Sequence, residues 1–158
     1  MARKPGSTSP MAERFHGTRR AHRDETAEDY AEAILNLVER EGVCRVRDLS
    51  GMMGVSHVTV TRIVSRLQKL GLVETEPYRP IGLTARGLRV ARAARRRHGV
   101  VLGFLLSIGV PPRQAEIDAE GIEHHVSGAT IRALRRLAMN ATRAGARPIT
   151  GSGRRTDG

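Results

Sequence analysis

The amino-acid sequence predicts a mainly α-helical fold that contains a single small β-hairpin. Along most of the chain, apolar residues recur every three or four positions, which is the spacing of an amphipathic helix. Two short β-prone runs at 72–76 and 81–83 interrupt this pattern on either side of the turn residues 77–80. Capping residues and glycines divide the rest into six helical segments.

Three helices are expected before the hairpin. Thr26 is a candidate N-cap for helix 1 at 27–41, helix 2 covers 45–53, and Ser56 caps helix 3 at 57–70. A glycine follows each segment and favours its termination. The apolar side chains expected to point inward are Tyr30, Ile34, Leu37 and Val38 of helix 1, Leu49, Met52 and Met53 of helix 2, and Val60, Ile63, Val64, Leu67 and Leu70 of helix 3.

Three more helices are expected after the hairpin. Thr84 is a candidate cap for a long helix 4 at about 85–108. Helix 5 follows at about 112–125, and Ser127 caps helix 6 at about 128–143. Apolar residues of these helices are expected to form a twofold interface between two copies of the chain: Val101, Phe104, Leu105, Ile117, Ile122, Val126, Ile131, Leu134 and Leu137.

The first half of the chain has the element order of a winged helix-turn-helix, in which the hairpin is the wing. In residues 54–67 an apolar helix face lies opposite a face of small hydroxyls and arginines. The hydroxyls allow close approach to a DNA groove, where Arg62 can reach a guanine edge or a phosphate and Arg66 a phosphate. The candidate DNA-binding residues are Ser56, His57, Val58, Thr59, Thr61, Arg62 and Arg66, with Arg79 beside Tyr78 at the wing tip.

An ordinary amphipathic helix with a solvated polar face is the alternative interpretation of residues 54–67. It leaves the hairpin that follows without an explanation, so the DNA-binding interpretation is favoured. The turn at Tyr78 and Arg79 is equally compatible with an ordinary loop.

A second pattern consists of acidic and histidine side chains on helices. Glu120, Glu123 and His124 stand at i, i+3 and i+4, so they project from one face of helix 5 within about one turn. Asp29 and Glu32 stand at i and i+3 on helix 1. Carboxylates and imidazoles together form a set of donors suited to a hard divalent metal.

His98 is a further candidate, because it shares a face of helix 4 with Leu102 and Leu105 and therefore points inward. Each of these pieces has a simpler explanation when taken singly. An inward histidine is commonly structural, and Glu32 lies nearly opposite the apolar side of helix 1, where a solvated carboxylate is the ordinary outcome.

Composition excludes several classes of protein. The single Cys44 cannot form an internal disulfide, which indicates a reducing compartment. No apolar run approaches the roughly 20 residues of a membrane span, and no secretory signal is visible at the N-terminus. We therefore expect a cytoplasmic protein without a membrane segment.

The net charge of +11 is concentrated at the two ends of the chain. Residues 1–23 carry six Lys and Arg against Glu13, and residues 132–158 carry seven Arg against Asp157. Residues 24–83 are slightly acidic, with seven basic and ten acidic side chains. Basic ends can add salt-sensitive attraction to DNA phosphates, although compositional bias towards Arg explains them equally well.

Four stretches together resemble the DtxR family of metal-dependent repressors, most closely its manganese-responsive branch. They are EDYAEAI at 28–34, the helix-turn-helix residues 54–67, LTARG at 83–87, and DAEGIEHHVS at 118–127, with His98 between the last two. The last stretch is the most specific. The resemblance covers about residues 27–137, so the N-terminal extension and the Arg-rich tail lie outside it.

The resemblance implies a site for two neighbouring Mn(II) ions in each subunit. The positions that match the family's ligands are Asp29, Glu32, His98, Glu120, Glu123 and His124. Iron-responsive relatives place a softer Met at the position of Asp29, so the carboxylate here favours manganese.

The implied domain organisation has four parts. Residues 1–23 are a basic, flexible N-terminal extension, and 24–84 a winged helix-turn-helix DNA-binding domain. Residues 85–143 are a helical metal-binding and dimerisation domain, and 144–158 a flexible basic tail.

The implied function is that of a manganese-activated repressor of manganese uptake genes. It binds a palindromic operator in double-stranded DNA as a homodimer and is not an enzyme. Two alternatives stay open: a winged-helix regulator that responds to iron or to a small organic ligand, and a di-metal carboxylate enzyme. The enzyme alternative is weakened because no second Glu-x-x-His lies on an opposing helix.

Overall fold

A computed structural model of the protein describes residues 10–76 and 79–143. This part of the chain contains six helices and one antiparallel pair of strands, so the predicted fold class, mainly α with a small β-wing, is confirmed. The elements in chain order are α1 Pro10–Glu41, α2 Val46–Met53, α3 His57–Lys69, β1 Val73–Glu74, β2 Gly82–Leu83, α4 Ala85–Ser107, α5 Pro112–Glu123 and α6 Gly128–Arg143. Tyr78 and the predicted tail at 144–158 lie outside the described residues.

The chain divides into two compact units between Arg92 and Ala93. The first unit holds α1 to α3, the two strands and the start of α4, and the second holds the rest of α4 with α5 and α6. The sequence places the domain boundary after residue 84, and that boundary remains a prediction. No helix in the described ranges is both long enough and apolar enough to cross a membrane.

The α2–turn–α3 region has the capping predicted from its sequence. Gly54 adopts the left-handed conformation, with φ +65°, at the end of α2. The Oγ atom of Ser56 accepts a hydrogen bond from the backbone N–H of Thr59 at 3.2 Å and so caps α3. These two residues fix where α2 ends and α3 begins, and therefore set the direction in which α3 presents its polar face.

The first unit has a core formed where α1, α2, α3 and the strands meet. Its buried members include Tyr30, Ile34, Leu37, Leu49, Val60, Val64 and Leu67, all predicted to point inward. Val38, Met52 and Leu70 were also predicted inward, but they are 37%, 39% and 40% exposed. Each lies in the last turn of a helix or at its C-cap.

Helix α1 begins at Pro10, far ahead of the predicted start at residue 27. Thr26 therefore lies inside the helix, and its predicted role as an N-cap is wrong. Proline is compatible with the first turn of a helix, and the residues that follow are rich in the helix-favouring Ala, Glu and Arg. The flexibility predicted for residues 1–23 stays a prediction, and residues 1–9 lie outside the described part.

The wing is a short hairpin that is held against α3 and the start of α4. Val73 pairs with Leu83 and Glu74 with Gly82. The hydroxyl of Thr84 donates to the carbonyl of Gly71 at 2.7 Å and accepts from the backbone N–H of Gly87 at 3.0 Å, which confirms Thr84 as the cap of α4. The strands are shorter than predicted, with two residues each.

The second unit has a separate small core between α4, α5 and α6. Its buried residues are Val101, Leu105, Ala115 and Ala119, with Phe104, Ile122, Ile131 and Leu134 among the partly buried ones packed on them. Val101 and Leu105 are thus buried within one chain, so their predicted place in a subunit interface is wrong. Ile117 and Leu137 are 59% and 54% exposed and remain candidates for that interface.

Candidate metal-binding cluster and nucleic-acid interface

A cluster of histidines and carboxylates lies between α4 and α5 in the second unit, and we call it the His98 cluster. Nδ1 of His98 lies 3.6 Å from Oε1 of Glu120 and 3.5 Å from Oε2 of Glu123. The other ring nitrogen, Nε2, lies 3.2 Å from Oε2 of Glu116. His124, the C-cap of α5, places Nε2 3.3 Å from Oε1 of Glu123. The structure therefore brings together four of the six predicted metal ligands and adds Glu116 beside them.

The sequence of α5 explains why these side chains face α4. Ala115 and Ala119 are fully buried, and such small side chains allow the two helices to approach closely. Glu116, Glu120 and Glu123 follow at i, i+4 and i+7, so they lie along one side of the helix next to the alanines. The carboxylates consequently project towards the imidazole of His98.

Glu123 is the most unusual member of the His98 cluster. Its side chain is only 3% exposed, and its Oε2 atom makes no hydrogen bond with any residue that the structure describes. Burial raises the pKa of Glu123 to about 7, although the nearby His124, His98 and Arg97 act in the opposite direction. The negative charge of the buried Glu123 carboxylate is therefore only partly balanced by the positive charges and hydrogen bonds around it.

The donors of the His98 cluster fit a hard divalent cation. Their oxygens and imidazole nitrogens are the ligand types that Mn(II) accepts, and an added cation would compensate the buried charge of Glu123. As the side chains of residues 10–76 and 79–143 are placed, no group of three or more His, Cys, Asp or Glu is arranged so that it could hold a metal ion.

Asp29 and Glu32, the other two predicted ligands, belong to the first unit. They stand three residues apart on α1 and are both half-buried, so Glu32 is less solvated than its place opposite Tyr30 suggests. The buried Tyr30 has a raised pKa, first because of burial and second because of the negative charge of Asp29.

The candidate DNA-binding residues of α3 lie on its accessible face. Val58 is 80% exposed, and His57, Thr61 and Arg62 are exposed as well. Thr61 donates its hydroxyl hydrogen to the carbonyl of His57 at 2.8 Å, which keeps its methyl group and oxygen lone pairs on the surface. The N-terminal half of α3 therefore presents small and accessible groups, as a helix that enters a DNA groove requires.

A groove of about 1080 Å³ runs between α3, the start of α2 and the wing. Three arginines line it: Arg45 and Arg47 at the start of α2 and the exposed Arg79 of the wing. His57 and Thr61 of α3 line it too. Arginines on two sides of a groove beside α3, at the start of α2 and on the wing, suit the phosphate backbone of DNA.

Arg45, Arg47 and Glu116 were missed when candidate residues were chosen from the sequence. An Arg-x-Arg pair at the start of α2 was a usable signal for phosphate binding. Glu116 carried a weaker signal, namely its position four residues before Glu120 on the same helix face.

Two family descriptions match consecutive parts of the chain. The iron dependent repressor, N-terminal DNA binding domain, matches residues 24–81. The iron dependent repressor, metal binding and dimerisation domain, matches residues 84–145. The second match includes the whole His98 cluster, and the first includes α2, α3 and β1, the first strand of the wing.

Individual proteins and structures agree with these matches. The transcriptional regulator MntR of Escherichia coli O6:H1 is 45% identical over 123 residues, which cover 78% of this chain and 79% of the relative. The manganese regulator SloR has a solved structure that aligns with a TM-score of 0.64 at 27% identity, over 73% of this chain and 54% of that one.

A solved manganese-dependent transcriptional repressor in complex with manganese aligns with a TM-score of 0.65 at 28% identity. The alignment covers 72% of this chain and 52% of that one. This chain therefore spans about half the length of the two solved proteins.

Proposed function

The chain belongs to the DtxR, or iron-dependent repressor, family, and from this premise we propose that it is a transcriptional repressor whose DNA binding is switched on by manganese. Because the family consists of transcriptional repressors, the chain is a regulator and not an enzyme. The observation that carries the manganese proposal is the buried Glu123 carboxylate, which lies among His98, Glu120 and His124 without full compensation of its charge.

The proposed ligands come from both units of the chain. Asp29 and Glu32 of α1 and the four ligands of the His98 cluster hold the metal, with two Mn(II) ions per subunit. When bound, two divalent ions supply four positive charges, which balance the four carboxylates of this set.

Bound to a metal, ligands on α1, α4 and α5 would restrict the motion of these helices. The entropy lost when the protein binds DNA is then smaller, so metal and DNA favour each other's binding. Mn(II) is the weakest binder in the Irving–Williams order, so selectivity must come from the number and geometry of the ligands. The carboxylate of Asp29 supports manganese over iron because it is a harder ligand than the Met of iron-responsive relatives.

The proposed DNA contacts divide into two kinds. Arg62 and the small residues of α3 contact base edges, while Arg66, Arg79 and the arginines at the start of α2 contact phosphates. A homodimer presents two copies of α3 to a palindromic operator, whose half-sites lie about one helical turn apart. The regulated genes are proposed to encode manganese uptake.

Fluorescence anisotropy with a labelled promoter of a manganese transporter from the same organism tests the proposal. We expect tight binding with Mn(II) and weak binding with a chelator or with Zn(II). The Glu120→Ala and Asp29→Ala variants should lose the response to Mn(II). Asp118→Ala, which removes a carboxylate from α5 outside the ligand set, should keep it.

Three results would redirect the proposal. Full activation by Fe(II) at lower concentrations than Mn(II) would indicate an iron regulator. Equally tight binding with chelator and with Mn(II) would indicate a regulator that responds to another ligand. Loss of the response in Asp118→Ala as well would show that any lost charge on α5 has this effect, and would remove support for the ligand set.

A further inference from the structure

Glu116 contacts a predicted metal ligand without being one of the predicted ligands itself. It lies on α5 one turn before Glu120, and its side chain is 61% exposed. Its Oε2 atom lies 3.2 Å from Nε2 of His98, within hydrogen-bond distance. Among the described residues of the second unit, this is the shortest contact between His98 and a carboxylate.

The two nitrogens of the His98 ring have different surroundings. Nε2 lies 3.2 Å from Oε2 of Glu116, whereas Nδ1 lies 3.6 Å from Oε1 of Glu120 and 3.5 Å from Oε2 of Glu123. A rotation of the ring by half a turn about its Cβ–Cγ bond would replace both nitrogens by carbons at these positions. Both contacts therefore select the same ring orientation.

We propose that Glu116 is a positioning residue that accepts a hydrogen bond from Nε2–H of His98, so that Nδ1, which faces Glu120 and Glu123, is the nitrogen available to a metal. A neutral imidazole carries one N–H and one lone pair, and the partner of the N–H decides which nitrogen keeps the lone pair. A carboxylate is a strong acceptor for that N–H. The inference rests on the proposed function, because the lone pair matters only if His98 binds a metal.

Exposure of Glu116 makes this role separable from folding. The Glu116 side chain is largely in solvent and the His98 side chain is 19% exposed, so substitution of Glu116 leaves the buried core of α4 and α5 intact. Partners that orient a ligand in this way commonly change metal affinity by 10–100-fold when they are removed, roughly one to two orders of magnitude.

The test combines two measurements on Glu116→Ala, Glu116→Gln and the charge-matched control Asp118→Ala. The first is the tautomer of His98 in the metal-free full chain, read from nitrogen chemical shifts of 15N-labelled histidine and assigned with a His98→Gln variant. The second is Mn(II) affinity, measured by electron paramagnetic resonance of the free ion. Circular dichroism checks that each variant is folded.

We expect His98 to be protonated on Nε2 in the unsubstituted protein and to become a mixture of tautomers in Glu116→Ala. Mn(II) affinity should fall about tenfold in Glu116→Ala. The Glu116→Gln variant should retain most of it, because an amide oxygen still accepts the N–H, and Asp118→Ala should resemble the unsubstituted protein.

Other outcomes would overturn the positioning role. An unchanged tautomer or unchanged affinity in Glu116→Ala would show that Glu116 does not orient the ring. Loss of binding in both Glu116 variants as complete as in His98→Gln would make Glu116 a direct ligand instead. If the unsubstituted protein bound no Mn(II), the proposed function would fail, and the metal-free spectra would still decide whether Glu116 sets the tautomer.

Discussion

Burial sets the chemistry of two side chains, Glu123 and Cys44. Glu123 is a carboxylate at 3% exposure, and Cys44 is a thiol at 0% exposure. Burial disfavours the charged form of each, so the pKa of Glu123 rises to about 7 and that of Cys44 to about 12. The carboxylate lies among groups that suit a cation, whereas the thiol lies in an apolar core, and this difference separates a proposed metal ligand from a packing residue.

Glu123→Gln should stabilise the metal-free protein above pH 7, since an amide removes the buried negative charge that burial opposes. The raised pKa means that the folded state holds its proton more tightly than the unfolded state, whose carboxyl has a pKa near 4.5. The contribution of Glu123 to the free energy of unfolding is therefore at its maximum below pH 4.5 and is lost as the pH rises through about 7. The expected gain for the variant is about 1–3 kcal/mol in urea unfolding.

The same substitution should weaken Mn(II) binding, because the amide lacks the charge that a cation needs. A variant that is less stable without metal above neutral pH would contradict the description of Glu123 as a poorly compensated charge. Unchanged Mn(II) affinity would remove Glu123 from the ligand set.

Cys44 should be inert towards thiol reagents in the folded protein. Its pKa is raised to about 12, first by burial and second by the charge of Asp48, so almost no thiolate forms near neutral pH. Ellman's reagent should label the one thiol of the chain only after denaturant is added. Rapid labelling in buffer alone would contradict this account.

The Cys44 thiol also predicts a pH dependence of stability. The unfolded chain loses the thiol proton near pH 9 and the folded chain only near pH 12, so the free energy of unfolding should fall as the pH rises between these values.

Local rules of capping and turn formation account for most of the elements. Ser56, Thr84 and Ser127 each accept a hydrogen bond from a backbone N–H three residues ahead, as their sequence positions predict. The rule fails at Thr26, because a capping residue is a signal only where the preceding residues cannot themselves be helical. Exposure of Val38 and Met52 has a similar origin, since helical spacing predicts the inner face but not how far the neighbouring elements extend.

Gly87→Ala should destabilise the first unit. A Cβ atom at Gly87 would lie 1.9 Å from the backbone carbonyl oxygen of Leu72, so the start of α4 could no longer pack against the wing without a shift. We expect a loss of about 1–3 kcal/mol in thermal or urea unfolding. Gly51→Ala is the matched control, because nothing lies within 4 Å of its position on α2. It should stabilise by up to about 1 kcal/mol through helix propensity. Equal effects of the two substitutions would contradict close packing at Gly87.

Arg62→Ala and Arg79→Ala should weaken DNA binding in different ways. Arg62 lies on the exposed face of α3, so its loss should relax the preference for one base pair, at a cost of about 1–3 kcal/mol. Arg79 lines the groove beside the wing, so its loss should weaken binding to all DNA sequences alike. The slope of log affinity against log salt concentration should become shallower by about one. Competition assays with base-substituted operators at several salt concentrations distinguish the two, and an unchanged base preference in Arg62→Ala would contradict its role.

At the scale of the whole molecule, helix periodicity and family resemblance predict the fold class and the composition of the candidate site. The contact between Glu116 and His98 depends on how closely α5 packs on α4, and an exposed glutamate in a sequence looks the same whether or not a histidine faces it. Val101 and Leu105 show the same limit, because an apolar helix face does not reveal whether a neighbouring helix or a second subunit covers it.

The central claim of the proposed function is that metal binding and DNA binding favour each other through ligands on α1, α4 and α5. Isothermal calorimetry of Mn(II) binding, with and without a saturating amount of operator DNA, tests it most directly. Linkage requires that operator DNA strengthen Mn(II) binding by the same factor by which Mn(II) strengthens operator binding. We expect operator DNA and Mn(II) to strengthen each other's binding by one common factor. In Asp29→Ala this coupling should be lost, while the His98 cluster still binds Mn(II) weakly. Equal Mn(II) affinity with and without operator DNA would contradict the account.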